Sequence, residues 1–257
     1  MHGDAKAPPI VAEFFEHRKD GSSEDLIGPF AFFTPEELAS ADHHVSGRFD
    51  EYGSFTGSVR IYDQVEHQYT LAAPDDMTGL IDCGPFEVSF AYVQGAAKDT
   101  RMHLDEWKRL GDKLDNIGGL YVYRDGIRIL PYGNSDVDWL NIERRRTLSA
   151  QDWFFSYRRL IGDVRLSHQE NSNLVEKAGR EGFRQNRAYR QLVALLERLF
   201  ERLAFDFFRE KARVSTDFIE IRNSKQRDYE ILQKRAKSVR GAKDAFNEAL
   251  VKFFERV

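Results

Sequence analysis

The sequence predicts an α+β fold followed by a helical stalk. Three observations carry this: apolar alternation of period two between residues 47 and 94, helical apolar spacing over residues 104–117 and 189–211, and a seven-residue apolar repeat beyond residue 213. The 257 residues are 41% hydrophobic and 31% charged, the balance of a globular chain with ample material for a core. No apolar run approaches the roughly 20 residues of a membrane helix, and the N-terminus lacks a signal-peptide pattern, so no membrane partner is expected. The single cysteine, Cys83, excludes an intramolecular disulfide, suits a reducing cytoplasm and reads as a small buried hydrophobe.

Three segments follow from the pattern. Residues 1–44 form an N-terminal extension with a strand over 10–15 and a short helix. Thr34, Pro35 and Glu37 begin that helix: Thr caps, Pro fits the first turn, and Glu37 three residues on completes a capping box. The helix is predicted to end near His43, leaving His43 and His44 as surface residues with diverging side chains.

Residues 45–212 form the α+β body. Strands begin at Gly47, where GRFDEYGSFTG (47–57) alternates glycines and aromatics, and continue over 58–62 and 68–72. Over 85–94, Phe86, Val88, Phe90 and Tyr92 share one face against Glu87, Ser89 and Ala91. Leu104, Trp107, Leu110, Leu114 and Ile117 recur at helical spacing, and Gly118-Gly119 suits a left-handed C-terminal turn. LYVYRDGIRIL (120–130) predicts a hairpin with Asp125-Gly126 in a type I′ turn. A polar segment over 131–152 has aromatic anchors in Trp139 and Trp153. A strand covers 159–167, and the longest helix, 189–211, presents Tyr189, Leu192, Leu196, Leu199, Phe200 and Leu203 as an apolar stripe, continued by Phe207. Residues 213–257 read as a stalk or coiled coil, with Leu232, Val239, Phe246 and Phe253 seven residues apart and Ala242 and Ala249 between them; the seam is weak at Arg235.

The net charge of −4 conceals a gradient. Residues 1–76 hold 5 Lys/Arg against 15 Asp/Glu, and residues 201–257 hold 14 against 10. Familiar catalytic patterns are absent: no P-loop, no His/Cys cluster with metal-ligand spacing, no nucleophile elbow. No metal site is expected. DNIGG (115–119) has the wrong spacing for an adenine-binding turn, and a helix end before a strand explains both glycines.

The segment KAGREGFRQNRAY (177–189) is the most informative. It resembles the sensor loop in the transducer domain of GHKL-type ATPases, the superfamily of gyrase's ATPase subunit, MutL, MORC proteins and the ninety-kilodalton heat-shock chaperone. GLYVYRDGIR (119–128) is similar to the hairpin at the centre of those transducers, and GRFDEYGSFTG to the segment joining pocket to transducer in bacterial MORC-like ATPases. The likeness spans about residues 45–210. It implies a mixed sheet of four or five strands with a left-handed β-α-β unit.

It also implies that Arg180, with Lys177 as second candidate, reaches the γ-phosphate of ATP. Phe183 is then the packing anchor, Gly179 and Gly182 let the loop swing, and Arg184 and Gln185 add polar contacts. A guanidinium grips phosphate oxygens in two charge-assisted bonds, and a helix N-terminus favours an anion. The nucleotide domain of those families has no counterpart here. The expected cofactor state is therefore none in this chain, with ATP and Mg in a parent protein, and the expected partner is an N-terminal GHKL nucleotide-binding domain.

Two rival readings stand beside this one. The chain is a stand-alone interaction module that forms a homodimer through its stalk, or it binds nucleic acid through Arg144, Arg145, Arg146, Arg158 and Arg159, its densest central positive charge.

Overall fold

The computed structural model describes residues 15–25, 33–62, 65–148, 154–179 and 181–208, with a few helical positions between 227 and 243. It begins with a small hairpin of β1 (Phe15–His17) and β2 (Ser23–Asp25). Of the strand expected over 10–15, only Phe15 is among the described residues.

Helix α1 (Pro35–Ser40) starts as its sequence dictates. The Thr34 hydroxyl accepts from the Glu37 amide at 3.2 Å and the Glu37 carboxylate accepts from the Thr34 amide at 3.0 Å, a complete capping box. The helix ends three residues before His43, because the chain turns extended at Ala41 and enters β3 (His43–Phe49). That strand starts four residues earlier than the glycine pattern suggested. It carries His43 and His44 to opposite sides, and the expected surface placement fails: His43 is 1% exposed and His44 partly buried.

Six more strands complete a mixed sheet: β4 (Phe55–Ile61), β5 (His67–Leu71), β6 (Phe86–Tyr92), β7 (Gly119–Arg124), β8 (Ile127–Arg128) and β9 (Leu160–Leu166). Their order is β5-β4-β3-β6-β9-β7-β8, antiparallel except for the parallel pair β7–β9. The sheet has seven strands rather than four or five, since β5 and the two-residue β8 widen its edges.

Register assigns the faces. Val45 pairs with Val59 and Phe90, Phe90 with Gly162, and Gly162 with Leu120, so these share one side. Helix α4 (Arg187–Leu203) covers that side with Leu192, Leu195, Leu196, Leu199, Phe200 and Leu203, all buried. The Phe200 ring lies 4.8 Å from Phe90 and 5.2 Å from Phe155. Each such side chain stabilises the fold by about 1.5–3 kcal/mol. The helix runs on into a π-helical turn at Ala204–Phe208, where Phe208 stacks on Phe154 at 4.1 Å.

Helix α2 (Leu104–Ile117) takes part of the other side. Leu110 and Leu114 pack with Ala91, Ile161, Val93 and Ala41, with Leu38 of α1 alongside. Between the helices, Lys113 (1% exposed) donates to Glu37 at 2.7 Å, and Arg109 reaches the second carboxylate oxygen at 2.7 Å. Burial pushes the Glu37 carboxyl up, but bonds from Lys113, the Thr34 amide and Arg109 together hold it below its ordinary value.

Two local expectations are corrected. Gly118, which ends α2, is extended rather than left-handed (φ −71°, ψ 146°); glycine is needed there because a side chain would meet the Leu114 carbonyl oxygen at 2.4 Å. The polar segment after β8 holds a helix, α3 (Ile142–Leu148), whose start is satisfied by Asp138 accepting from the amides of Ile142 and Glu143. The β7–β8 hairpin has positive φ at both Asp125 (49°) and Gly126 (80°), the backbone a type I′ turn requires. Trp153 and most of the proposed stalk lie outside the described residues; Val239 is helical and exposed.

Candidate functional site

The segment singled out by sequence forms a closed turn at the Arg124 end of the sheet. Glu176 and Phe183 pair as an antiparallel bridge, and Glu181 pairs in parallel with Leu130 just beyond β8. The Lys177 amide donates to the Gly182 carbonyl at 2.9 Å, and one step outward the Arg184 amide donates to the Val175 carbonyl at 2.8 Å. The base of the turn is buried and aromatic. Phe183 (2% exposed) stacks on Tyr132 at 5.8 Å, and its amide donates to the Tyr132 hydroxyl at 2.9 Å.

Beneath lies Arg124, a charged residue on the core side of the sheet and only 5% exposed. Its guanidinium donates to the carbonyls of Asn171 (2.6 Å) and Leu174 (2.8 Å) and to the Glu176 carboxylate (3.0 Å), and sits 5.4 Å from the Phe183 ring centre. A buried cation survives only with such partners.

The outer part of the turn faces solvent. Lys177 and Gly179 are exposed, as are Arg184 and Gln185; Arg180 lies outside the described residues. The two glycines differ. A side chain at Gly179 would meet only the Glu181 side chain, at an ordinary contact distance of 3.8 Å, whereas Gly182 is buried at φ +84° with the Tyr132 hydroxyl 2.8 Å from a built Cβ. Gly182 is thus required by fit at the base, a different role from the swing the resemblance implied.

From Phe183 the chain reaches α4 within four residues. Asn186 caps the helix by accepting from the Tyr189 amide at 3.0 Å, and its own amide group donates to the Asn173 carbonyl at 2.7 Å. Arg187 in the first helical turn pairs with Asp82 at 2.8 Å. The turn, the cap and the helix are therefore one continuous, hydrogen-bonded unit.

The arginine cluster is less uniform than its sequence. Arg144, Arg145 and Arg146 lie on α3, and Arg158 and Arg159 on a 3-10 turn at Tyr157–Arg159. Arg145 forms an ion pair with Glu197 of α4. Arg159 points toward α2, 6.0 Å from the Trp107 ring centre. Glu143 sits among them and accepts from the Ser156 hydroxyl. Arg144 and Arg158 are exposed and Arg146 is partly so.

A second polar constellation, missed by sequence, lies at the opposite end of the strands. The Asp42 carboxylate, fully buried, accepts from the amides of Gln94 (2.8 Å) and Arg101 (2.9 Å) and from the Thr100 hydroxyl (3.0 Å). Burial raises its pKa despite these donors. Gln94 joins the His43 ring at 2.9 Å and the Tyr62 hydroxyl at 3.2 Å, and Tyr62 donates to the Asp99 carbonyl at 2.7 Å. Burial, with His44 and Arg101 nearby, holds His43 well below its usual pKa. These groups bind one another, so the network is a scaffold. Cys83 is likewise inert: burial pushes its thiol up to about 12.

Among the described residues no group of three or more His, Cys, Asp or Glu is placed to hold a metal ion, and no helix is long and apolar enough to cross a membrane. Together the fold and the site define an α+β domain that displays a short turn, anchored by buried groups, ahead of its longest helix. Comparison with protein-family models, curated proteins and solved structures finds no match for this chain.

Proposed function

We propose that this chain is the transducer part of a GHKL-type ATPase, of the bacterial MORC-like or chaperone-like kind. Its 176–183 turn contacts the γ-phosphate of ATP held by a companion domain, and α4 passes the contact to the stalk. One observation carries the reading: a turn with a buried base and an exposed rim that bears Lys177 is joined by hydrogen bonds to the helix that lines the core. The rim supplies cations where an outside anion can meet them, and the base lets a displacement of the rim reach α4. Arg180 and Lys177 make the phosphate contact; Gly179, Gly182, Arg184 and Gln185 shape and flank it. ATP and Mg belong to the companion domain, and the coupled assembly works in the cytoplasm. In this reading the parallel pair β7–β9, joined through β8 and α3, is the left-handed β-α-β unit of the transducer.

The test is Arg180→Ala in the polypeptide that carries both this chain and its nucleotide-binding partner. Steady-state ATP hydrolysis should fall about 100-fold, the usual loss when one preorganised charge-stabilising donor is removed. Unchanged hydrolysis refutes the assignment. The 257-residue chain alone should show no heat of binding with MgATP by titration calorimetry. Salt-sensitive binding of duplex DNA, abolished by neutralising Arg144 and Arg146, is the result that would instead favour a nucleic-acid role; the Arg145–Glu197 pair argues against it.

A further inference from the structure

We infer that Arg124 is the positioning residue of the 176–183 turn: it holds the turn in its projecting shape before any anion arrives. What the turn is for rests on the reading above; that Arg124 sets its shape does not.

The inference follows from where the guanidinium's bonds go. A sheet residue this deeply buried usually serves its own strand, yet Arg124 sends its donors out to the approach of the turn. Nη2 takes the carbonyls of Asn171 and Leu174, and Nη1 takes the carboxylate of Glu176, the residue that pairs with Phe183 to close the turn. Its Cζ sits over the Phe183 ring, 5.4 Å from the ring centre. One side chain therefore fixes both legs, the incoming one by hydrogen bonds and the outgoing one by ring contact.

Arg124 is in turn fixed by its hairpin. The next residue, Asp125, donates its amide to the Leu166 carbonyl at 3.0 Å and accepts from the His168 amide at 3.1 Å. Asn171 completes the frame, with its side-chain amide on the carbonyls of Cys83 and Pro85 at 2.7 and 2.9 Å. Lysine cannot reproduce the set, since a single ammonium nitrogen lacks the planar fork that meets two carbonyls and a carboxylate at once. A turn held this way is preorganised, so an anion meeting its rim does not have to order it first.

Amide hydrogen exchange on the whole 257-residue chain tests this without reference to nucleotide. In the unmodified chain the amides of Lys177 and Arg184 should be protected, since they donate across the turn. In Arg124→Lys they should exchange about ten-fold faster or more, the effect of losing charge-assisted bonds, while amides of β3, β4 and α4 keep their rates. Glu176→Gln, which removes only the ion pair, should speed the Lys177 amide by a smaller factor and leave Arg184 nearly unchanged; it serves equally if Arg124→Lys does not fold. Acceleration by one common factor across the sheet, α4 and the turn marks a purely structural residue and overturns the inference. So does an unprotected Lys177 amide in the unmodified chain. If the exchange result holds while Arg180→Ala leaves ATP hydrolysis intact, the positioning role stands and the phosphate-contact reading fails.

Discussion

At the His43 end of β3 and β6, the polar atoms of Asp42, His43, Gln94, Thr100 and Tyr62 meet one another out of reach of solvent. At the Arg124 end of β7 and β9, an equally buried charge is aimed instead at a turn whose rim is exposed. Both arrangements satisfy the rule that buried polar groups need partners. They differ in what stands at the far end of the chain of bonds: in one case more core, in the other a surface element that precedes α4. Burial of a titratable group thus says little about function until the last partner is known. By that measure the Asp42 network locks strands together and the Arg124 frame presents a turn.

The contrast breaks first at Phe183. If the aromatic base holds the turn, Phe183→Ala should cost about 3–5 kcal/mol in urea denaturation, the range for emptying a buried aromatic site. A loss below about 1 kcal/mol would mean that the turn is not anchored through its base.

The other end is probed by pH. Burial and nearby arginines hold His44 at about 4, and burial holds His43 well below 6.5. The unfolded chain therefore binds protons that the fold refuses. The stability tied to these residues is complete above pH 6.5 and is lost as pH falls toward 4. The slope should approach about 1.4 kcal/mol per pH unit for His43, and less for the part-exposed His44, where solvent screens the effect. Asp42 acts in the opposite sense, because its folded value is raised and the fold gains as pH falls through that value. Urea midpoints at pH 7 and pH 5 measure the balance, and His43→Gln should flatten the difference. A pH dependence in His43→Gln identical to that of the unmodified chain removes the locked-network account.

The smallest effect sharpens the turn itself. Gly182→Ala should destabilise by about 1–2 kcal/mol, because it combines a left-handed backbone with a contact on Tyr132, while Gly179→Ala should change stability by less than about 0.5 kcal/mol. Equal costs at the two positions would show that the turn is not divided into a fixed base and a free rim.

Local rules carried much of the fold. The capping box at Thr34, the alternation over β6 and the Asp125-Gly126 turn each depend on neighbours within a few residues, and each appears as its sequence reads. The misses at His43 and Arg124 are long-range, while those at Gly118 and helix α3 are local. His43 is buried because Gln94 and Tyr62 close over it from 51 and 19 positions away, which no local pattern reveals. Helix α3 is short and arginine-rich, and its one signal was Asp138 ahead of Ile142 and Glu143. Arg124 was legible only as part of a hairpin, since its partners come from a loop 47 to 52 positions downstream. The glycines of the turn stood out in sequence, but their different roles depend on where Tyr132 places its hydroxyl.

Gly47 and Gly57 face each other across β3 and β4, and the Phe55 ring lies over both, 2.4 and 2.7 Å from where their Cβ atoms would sit. The ring is only part of what each glycine admits: a methyl group at 47 would also meet the Thr56 carbonyl oxygen at 2.6 Å, and one at 57 the Ser46 carbonyl oxygen at 2.2 Å. A smaller residue at 55 would strip the cover from two bare stretches of backbone at once, yet it would not make room for a side chain on either of them. Any exploration of alternative sequences for this sheet can therefore vary 55 only while both glycines stay, because the strands themselves approach too closely there for anything larger.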